Sequence, residues 1–397
     1  MPLSRPERDR ALEFRKIIAA LPGIALGNFA IFTAPIYIGS LVDGLGYDER
    51  QAGLISTLEI GAVALTCLML SNILNRLPLR RVSGVGIIIV VASNVLTYWA
   101  DQIIQVATLR ILAGLGAGLC LAIAGSLISR TTDADRTVGT LLAVNTLLMV
   151  VILMLLGWAK SIWMFNGYLA VYALLAGLLV PLLIFIPQRS GDAPHSASIP
   201  PSEARIGLGL LGLATFTLFC VLEGGVWSFS ERSGTQLGFT DPEIGMFLGL
   251  AQVAGLIAAL IAAIFGARIP RIYPIITGIP LMGIAGFTIY QTASQAVYAI
   301  SLALFLFGFF FAFPYLLGAF ARLDIHGRWL ARANGANLLG GAIAPAIAGS
   351  VVSTTDFQTL GIFLTGVATI TAILAVSFSA NLTRDTLTRD YSESASG

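Results

Sequence analysis

Gly46-Tyr47-Asp48-Glu49-Arg50-Gln51-Ala52-Gly53 is answered 192 positions later by Gly238-Phe239-Thr240-Asp241-Pro242-Glu243-Ile244-Gly245. Moved by the same interval, the whole chain falls on itself without a gap. Arg76 meets Arg268 and Pro78 meets Pro270. Gly116 meets Gly308, Arg130 meets Arg322, Arg136 meets Arg328 and Asn145 meets Asn337. The matched residues are mostly loop arginines and helix-packing glycines, so the chain reads as two halves built alike.

Of 397 residues, 56% are hydrophobic and only 11% charged, with mean hydropathy +0.86. A soluble protein carries about 25% charged residues, so this chain belongs in a bilayer. Cys67, Cys120 and Cys220 lie in apolar runs without metal or disulfide spacing and read as small packing residues. His195 and His326 fall in polar segments and read as solvated loop residues. The basic N-terminal stretch leads into a full-length apolar run, not a short cleavable signal.

A spanning helix needs about 20 apolar residues. Twelve candidate spans follow: 17–42, 50–73, 82–100, 103–129, 137–158 and 162–187, then 206–230, 242–266, 273–291, 294–321, 329–352 and 357–380. Six plus six matches the repeat. The predicted fold is an all-α membrane protein of twelve transmembrane helices in two pseudo-symmetric six-helix bundles. Residues 1–187 form the first bundle and 206–380 the second. Residues 188–205, rich in Ser, Pro and Ala, form a flexible cytoplasmic linker, and 381–397 a short polar tail. With the N-terminus inside, all but four of the 23 Lys and Arg fall in the tails and inner loops. The exceptions are Arg50, Lys160 and Arg232 in outer loops and Arg110 within a span. The positive-inside rule therefore predicts both termini in the cytoplasm, with the chain in the inner membrane. No extramembrane catalytic domain, nucleophile–base pair, metal cluster or phosphate-cradling loop is evident, so neither an enzyme nor direct ATP drive is predicted. No cofactor and no nucleic-acid partner are expected, and the protein is read as a monomer among lipids.

Two local signatures resemble those of the major facilitator superfamily. The fourth span reads Arg110-Ile-Leu-Ala-Gly114-Leu-Gly116-Ala-Gly118, an Arg followed by spaced glycines that admit a neighbouring helix. Between the second and third spans stands Ser71-Asn-Ile-Leu-Asn75-Arg76-Leu-Pro78-Leu-Arg80-Arg81. Arg76, Arg80 and Arg81 fit the family pattern, while Ser71, Asn75 and Pro78 depart from it. The resemblance covers nearly the whole chain. It implies an inner-face charge network that latches the halves, here with Asn75 in place of the usual acid. Asn75, Arg76 and Arg268 are therefore the candidate cytoplasmic gate. The fifth span lacks the proline of the family's drug/proton exchangers.

Glu59, Arg110 and Glu223 interrupt apolar runs, where a charge costs at least ~2.5 kcal/mol. Glu59, at mid-depth in the second span, is the candidate proton-coupling carboxylate, or else a permanent partner of Arg110. Arg110 either grips a substrate carboxylate or fixes helix packing. Glu223 stands beside Gly224 and Gly225, a pair that would allow a gating bend, and is the second candidate for proton coupling. Asn28, Asn145, Gln252, Asn334 and Asn337 are candidate cavity residues. Phe311 and Tyr315, four apart on the tenth span, wall a substrate pocket or pack around Pro314.

These residues predict a secondary transporter working by alternating access, with its site near the bilayer midplane between the bundles. The reading is proton-coupled symport of a small organic anion with an apolar or aromatic part. The alternatives are proton antiport exporting an amphipathic compound, a lipid scramblase and a nontransporting sensor.

Overall fold

The structure, a computed structural model, describes residues 5–70, 73–74, 77–129, 131, 134–188, 203–323 and 328–396. Among these there are helices and turns but no strand. The helices are α1 (Arg5–Phe32), α2 (Ala34–Leu45), α3 (Glu49–Leu70), α4 (Leu79–Thr97), α5 (Ile103–Ile128) and α6 (Ala134–Leu179), then α7 (Glu203–Gln236), α8 (Asp241–Phe265), α9 (Ile272–Gln291), α10 (Gln295–Phe320), α11 (Arg328–Thr354) and α12 (Phe357–Ser396). Most of the predicted linker, His195, His326, Asn75 and Arg76 lie outside the described residues.

Eleven of the described helical segments are long and apolar enough to cross a bilayer. One of them, 137–185, holds two predicted spans joined without a loop. It turns at Met164, whose φ of 50° is left-handed. A short 3-10 turn, Val180–Phe185, ends it. The first predicted span is conversely broken at Thr33. Pro35, at the start of α2, has no N–H to continue the α1 ladder. The expected polar tail is helical to Ser396, because no Gly or Pro precedes Gly397 to stop it. Leu65, Ile88, Val151, Ile284 and Ile373 are each more than half exposed, the outward apolar surface of a multi-pass membrane protein.

The chain forms two compact units. The first comprises Met1–His195 with Gly238–Gly249, and the second Ser196–Leu237 with Leu250–Gly397. Both units contain the same glycine contact. In the first, a Cβ on Gly86 of α4 would lie 2.6 Å from the Gly116 carbonyl of α5, and one on Gly116 would lie 2.6 Å from the Gly86 carbonyl. In the second, 192 residues on, Gly278 of α9 and Gly308 of α10 block each other's Cβ at 2.7 and 2.8 Å. Each pair lets two helix backbones touch. The opening motif is also built twice. Gly46 and Gly238 both take positive φ, 69° and 84°. Two residues later Asp48 Oδ1 accepts from the Gln51 N–H (2.7 Å), and at the second copy Glu243 accepts from the Thr240 N–H (2.8 Å).

Candidate functional site

In the first unit α5 uses its glycines on two faces. Gly116 meets α4, whereas Gly114 and Gly118 meet α3. A Cβ on Gly118 would stand 2.6 Å from Thr66 Cβ, and one on Gly114 would run into the Glu59 carbonyl. Arg110 lies one turn before Gly114 and so shares the face pressed on α3. The close crossing sets its guanidinium beside Glu59, Nη1 to Oε1 4.0 Å, with both side chains 0% exposed.

Arg110 is held from a third helix. Nη1 donates to Asn94 Oδ1 (3.1 Å) and Nη2 to Thr97 Oγ1 (2.9 Å). Those acceptors are themselves oriented, because Asn94 Nδ2 donates to the Val90 carbonyl (2.8 Å) and Thr97 Oγ1 to the Ser93 carbonyl (2.6 Å). Glu59 is treated differently. Neither of its oxygens has a hydrogen-bond partner. The Tyr37 hydroxyl faces it from α2, near enough to interact with the carboxylate but without a hydrogen bond of full geometry.

Behind Tyr37 stands an aromatic wall. Its ring stacks on Tyr168 at 4.7 Å, and Phe29 stacks on Tyr172 at 4.0 Å. Tyr168 Oη lies 3.3 Å from Thr33 Oγ1, which donates to the Phe29 carbonyl (2.7 Å) at the break between α1 and α2. The helix break thus abuts the site. Sequence reasoning does not single out Tyr37, Ser56, Asn94, Thr97, Tyr168 or Tyr172. The i, i+3 spacing of Asn94 and Thr97 and the i, i+4 spacing of Tyr168 and Tyr172 are the signals it offers.

The repeat does not duplicate this cluster. At the equivalent positions of the second unit, Glu59, Arg110, Tyr37, Asn94 and Thr97 become Ala251, Leu302, Phe229, Gly286 and Ile289. The second unit repeats the α4–α5 glycine contact at Gly278 and Gly308, but Gly114 and Gly118 become Leu306 and Phe310, so the close crossing that sets Arg110 beside Glu59 is not repeated there.

Lys160, expected in an outer loop, is instead inside α6 with its side chain 2% exposed. Its ammonium donates to Asp43 Oδ2 (2.7 Å) and to Asp241 Oδ1 (2.8 Å). Close packing places them there, since a Cβ on Gly157 would lie 2.9 Å from Gly245 Cα. Arg232, also expected in a loop, lies within α7. Arg80 caps the end of the α6 segment, with Nε to the Ile186 carbonyl (2.8 Å) and Nη2 to the Ile184 carbonyl (2.7 Å).

The other candidates are dispersed. Asn145, in the first unit, is fully buried with neither amide atom partnered. Asn28 is half-buried on α1. In the second unit, Glu223 is half-buried on α7, and Gln252 is 2% exposed with Oε1 unpartnered. The helix runs unbroken through Gly224 and Gly225, which admit Ala344 and Leu364 closely. Tyr315 donates to the Ala262 carbonyl (3.2 Å), and its ring meets Phe311 edge-on at 6.2 Å. Asn337 accepts from Cys220 Sγ (3.2 Å). Asn334 is exposed and bonded to its own helix at the Leu330 carbonyl (3.2 Å). Arg268 is exposed and donates to the Ile264 carbonyl (3.3 Å).

An apolar multi-pass helical chain with duplicated bundles and a buried acid–guanidinium pair defines a membrane transporter of the duplicated-bundle class. The Major Facilitator Superfamily profile matches residues 20–323, well over half the chain, and the protein belongs to that family. No curated protein sequence matches it. Its fold is similar to that of the nucleoside transporter NupG (TM-score 0.68, 15% identity, 92% of this chain and 98% of that one). It is similar also to a bacterial homologue of the human lysosomal transporter Spinster (TM-score 0.68, 13% identity, 96% and 97%). A D-xylose-proton symporter matches likewise (TM-score 0.68, 15% identity, 91% and 97%). Cargo therefore has to be argued from this chain's own site.

Proposed function

We propose that the protein is a proton-coupled symporter of a small organic anion with an apolar or aromatic part. The observation that carries this reading is the Glu59 carboxylate, wholly buried 4.0 Å from Arg110 with both oxygens unpartnered. Glu59 lies ten residues into α3. At 1.5 Å per residue that is about 15 Å, half of a hydrocarbon core of about 30 Å. Ionised, Glu59 balances Arg110. Protonated, it leaves one guanidinium charge uncompensated in a medium that penalises lone charges. A cargo carboxylate restores neutrality, so proton and anion are favoured together and each is disfavoured alone. Alternating access of the two units then carries the neutral set across. Glu223, on α7, is the second candidate proton site, and Asn145 and Gln252, with buried unpartnered amide atoms, are candidates to bind the cargo's polar groups.

The test begins with thermal stabilisation of the purified protein by organic acids, amphipathic cations and neutral aromatics. A ligand at about 100 times its Kd adds roughly 2.7 kcal/mol. In proteoliposomes, Glu59→Gln is expected to keep exchange of the stabilising compound but to lose accumulation driven by a pH gradient. Undiminished gradient-driven accumulation in that variant would sink the coupling role. Stabilisation by cations alone, indifferent to Arg110→Ala, would favour proton antiport of an amphipathic compound.

A further inference from the structure

Five buried polar atoms gather at Glu59 without hydrogen-bond partners: both Glu59 oxygens, Tyr37 Oη, Ser56 Oγ and Arg110 Nε. Ser56 sits one turn before Glu59 on the same face of α3. Tyr37 faces the carboxylate from α2, and Arg110 reaches it from α5. All four residues are 0% exposed. Buried polar atoms are rarely left unsatisfied, and five in one place mark a site that something polar completes.

The chemistry of that site depends on one proton. With Glu59 ionised, its two oxygens are acceptors facing the hydroxyls and the guanidinium, and the set is neutral. With Glu59 protonated, the acid becomes a donor beside the Tyr37 hydroxyl, the Ser56 hydroxyl and Arg110 Nε–H. Four donors then surround one uncompensated positive charge, which is the arrangement an oxyanion requires. We infer that Tyr37 Oη, Ser56 Oγ, Arg110 Nε and protonated Glu59 together form the binding site for a carboxylate, created by the proton that accompanies it. The stacked rings of Tyr37, Tyr168, Phe29 and Tyr172 give the site an apolar flank, which suits a monocarboxylate with a short apolar or aromatic body. The inference rests on the proton-coupled anion reading and adds the atoms that hold the anion.

Among the described residues, the ionisable groups facing Glu59 are Arg110 from α5, Tyr37 from α2, and Tyr168 and Tyr172 from α6. The α4 groups on Arg110, Asn94 and Thr97, do not titrate. Tyrosine and arginine side chains ordinarily keep one protonation state between acid and neutral solution. The switch between acid and neutral solution is therefore assigned to Glu59.

Calorimetry on the purified full-length chain tests this, with formate, acetate and benzoate as probes and benzamide as the neutral counterpart of benzoate. The wild type is expected to bind the carboxylates more tightly on the acid side of neutrality and to ignore benzamide. Tyr37→Phe and Ser56→Ala are each expected to weaken carboxylate binding about ten-fold, the loss of one hydrogen bond to a charged group. Glu59→Gln keeps a donor at every pH and is expected to bind carboxylates alike in acid and in alkali. Should Tyr37→Phe fail to fold, Ser56→Ala carries the test alone. Wild-type affinity in the foldable variants, no carboxylate binding at all, or an unchanged pH dependence in Glu59→Gln would overturn the site. Loss of gradient drive in Glu59→Gln alongside wild-type carboxylate affinity in Tyr37→Phe and Ser56→Ala would reject this site and leave proton coupling standing.

Discussion

A lysine ammonium at 2% exposure survives inside an apolar helix only where anions meet it. Asp43 and Asp241 meet Lys160, and they remain 30% and 25% exposed. Replacing the lysine with methionine would leave two aspartates facing each other without that cation. A fully buried broken pair costs about 3–5 kcal/mol, and the aspartates' partial exposure brings the expectation for Lys160→Met down to about 2–3 kcal/mol. Thermal denaturation in detergent reads this, and Lys160→Met combined with Asp43→Asn and Asp241→Asn should recover part of the loss. Full wild-type stability in the single variant would mean that the three groups do not act as a cluster. Charge position alone could not reveal this arrangement. Lys160 falls in the short stretch between two apolar runs, which hydropathy reads as a loop, and its partners are distant in sequence. Glu59 and Arg110 were legible because a charge in the middle of a long apolar run is costly unless it is paired or used. Tyr37, Asn94 and Thr97 were not, since single polar residues of these types are common in spanning helices.

At the scale of the helix pair, the glycines divide into those that touch a neighbouring backbone and those that do not. Alanine at Gly86 or Gly278 would bring Cβ to 2.6 or 2.7 Å of a carbonyl oxygen. A carbonyl cannot swing aside as a side chain can, so each substitution is expected to cost about 1–3 kcal/mol. At Gly61 and Gly125 a Cβ would meet nothing within 4 Å. There alanine is expected to be neutral or to add up to about 1 kcal/mol through helix propensity. Thermal midpoints of the four variants decide it, and equal effects at touching and open positions would refute the packing role. The Arg-plus-glycine motif of the fourth span was readable as a close-approach helix. Its two-faced use was not, because only the crossing with α3 shows which glycines orient Arg110. The Thr33 break could have been read from Pro35, and the Met164 turn from Asn166-Gly167 just beyond it, where a Cβ on Gly167 would run into the Ala159 carbonyl.

At the scale of the molecule, the basic residues define an orientation. On the placement of the basic residues we propose that both termini lie in the cytoplasm. A fluorescent protein fused after residue 397 should therefore light up, and a phosphatase active only outside the cytoplasm should stay silent there. The opposite pattern would invert the topology. The duplicated architecture was legible at this scale because a fixed shift aligns residues that cap and pack in the same way, such as Gly46 with Gly238 and Gly116 with Gly308. Residues 238–249 follow the second bundle's first span in sequence but pack with the first unit. That assignment has a consequence for biosynthesis. Asp43 and Lys160 leave the ribosome early, but Asp241 and Gly245 follow much later, after the whole of α7. The N-terminal half released at the linker is thus an unfinished body, with Lys160 short of one anion and Gly157 short of its neighbour. The crossings of α3, α4 and α5 can form before then, whereas the Lys160 site is complete only once Asp241 has been made.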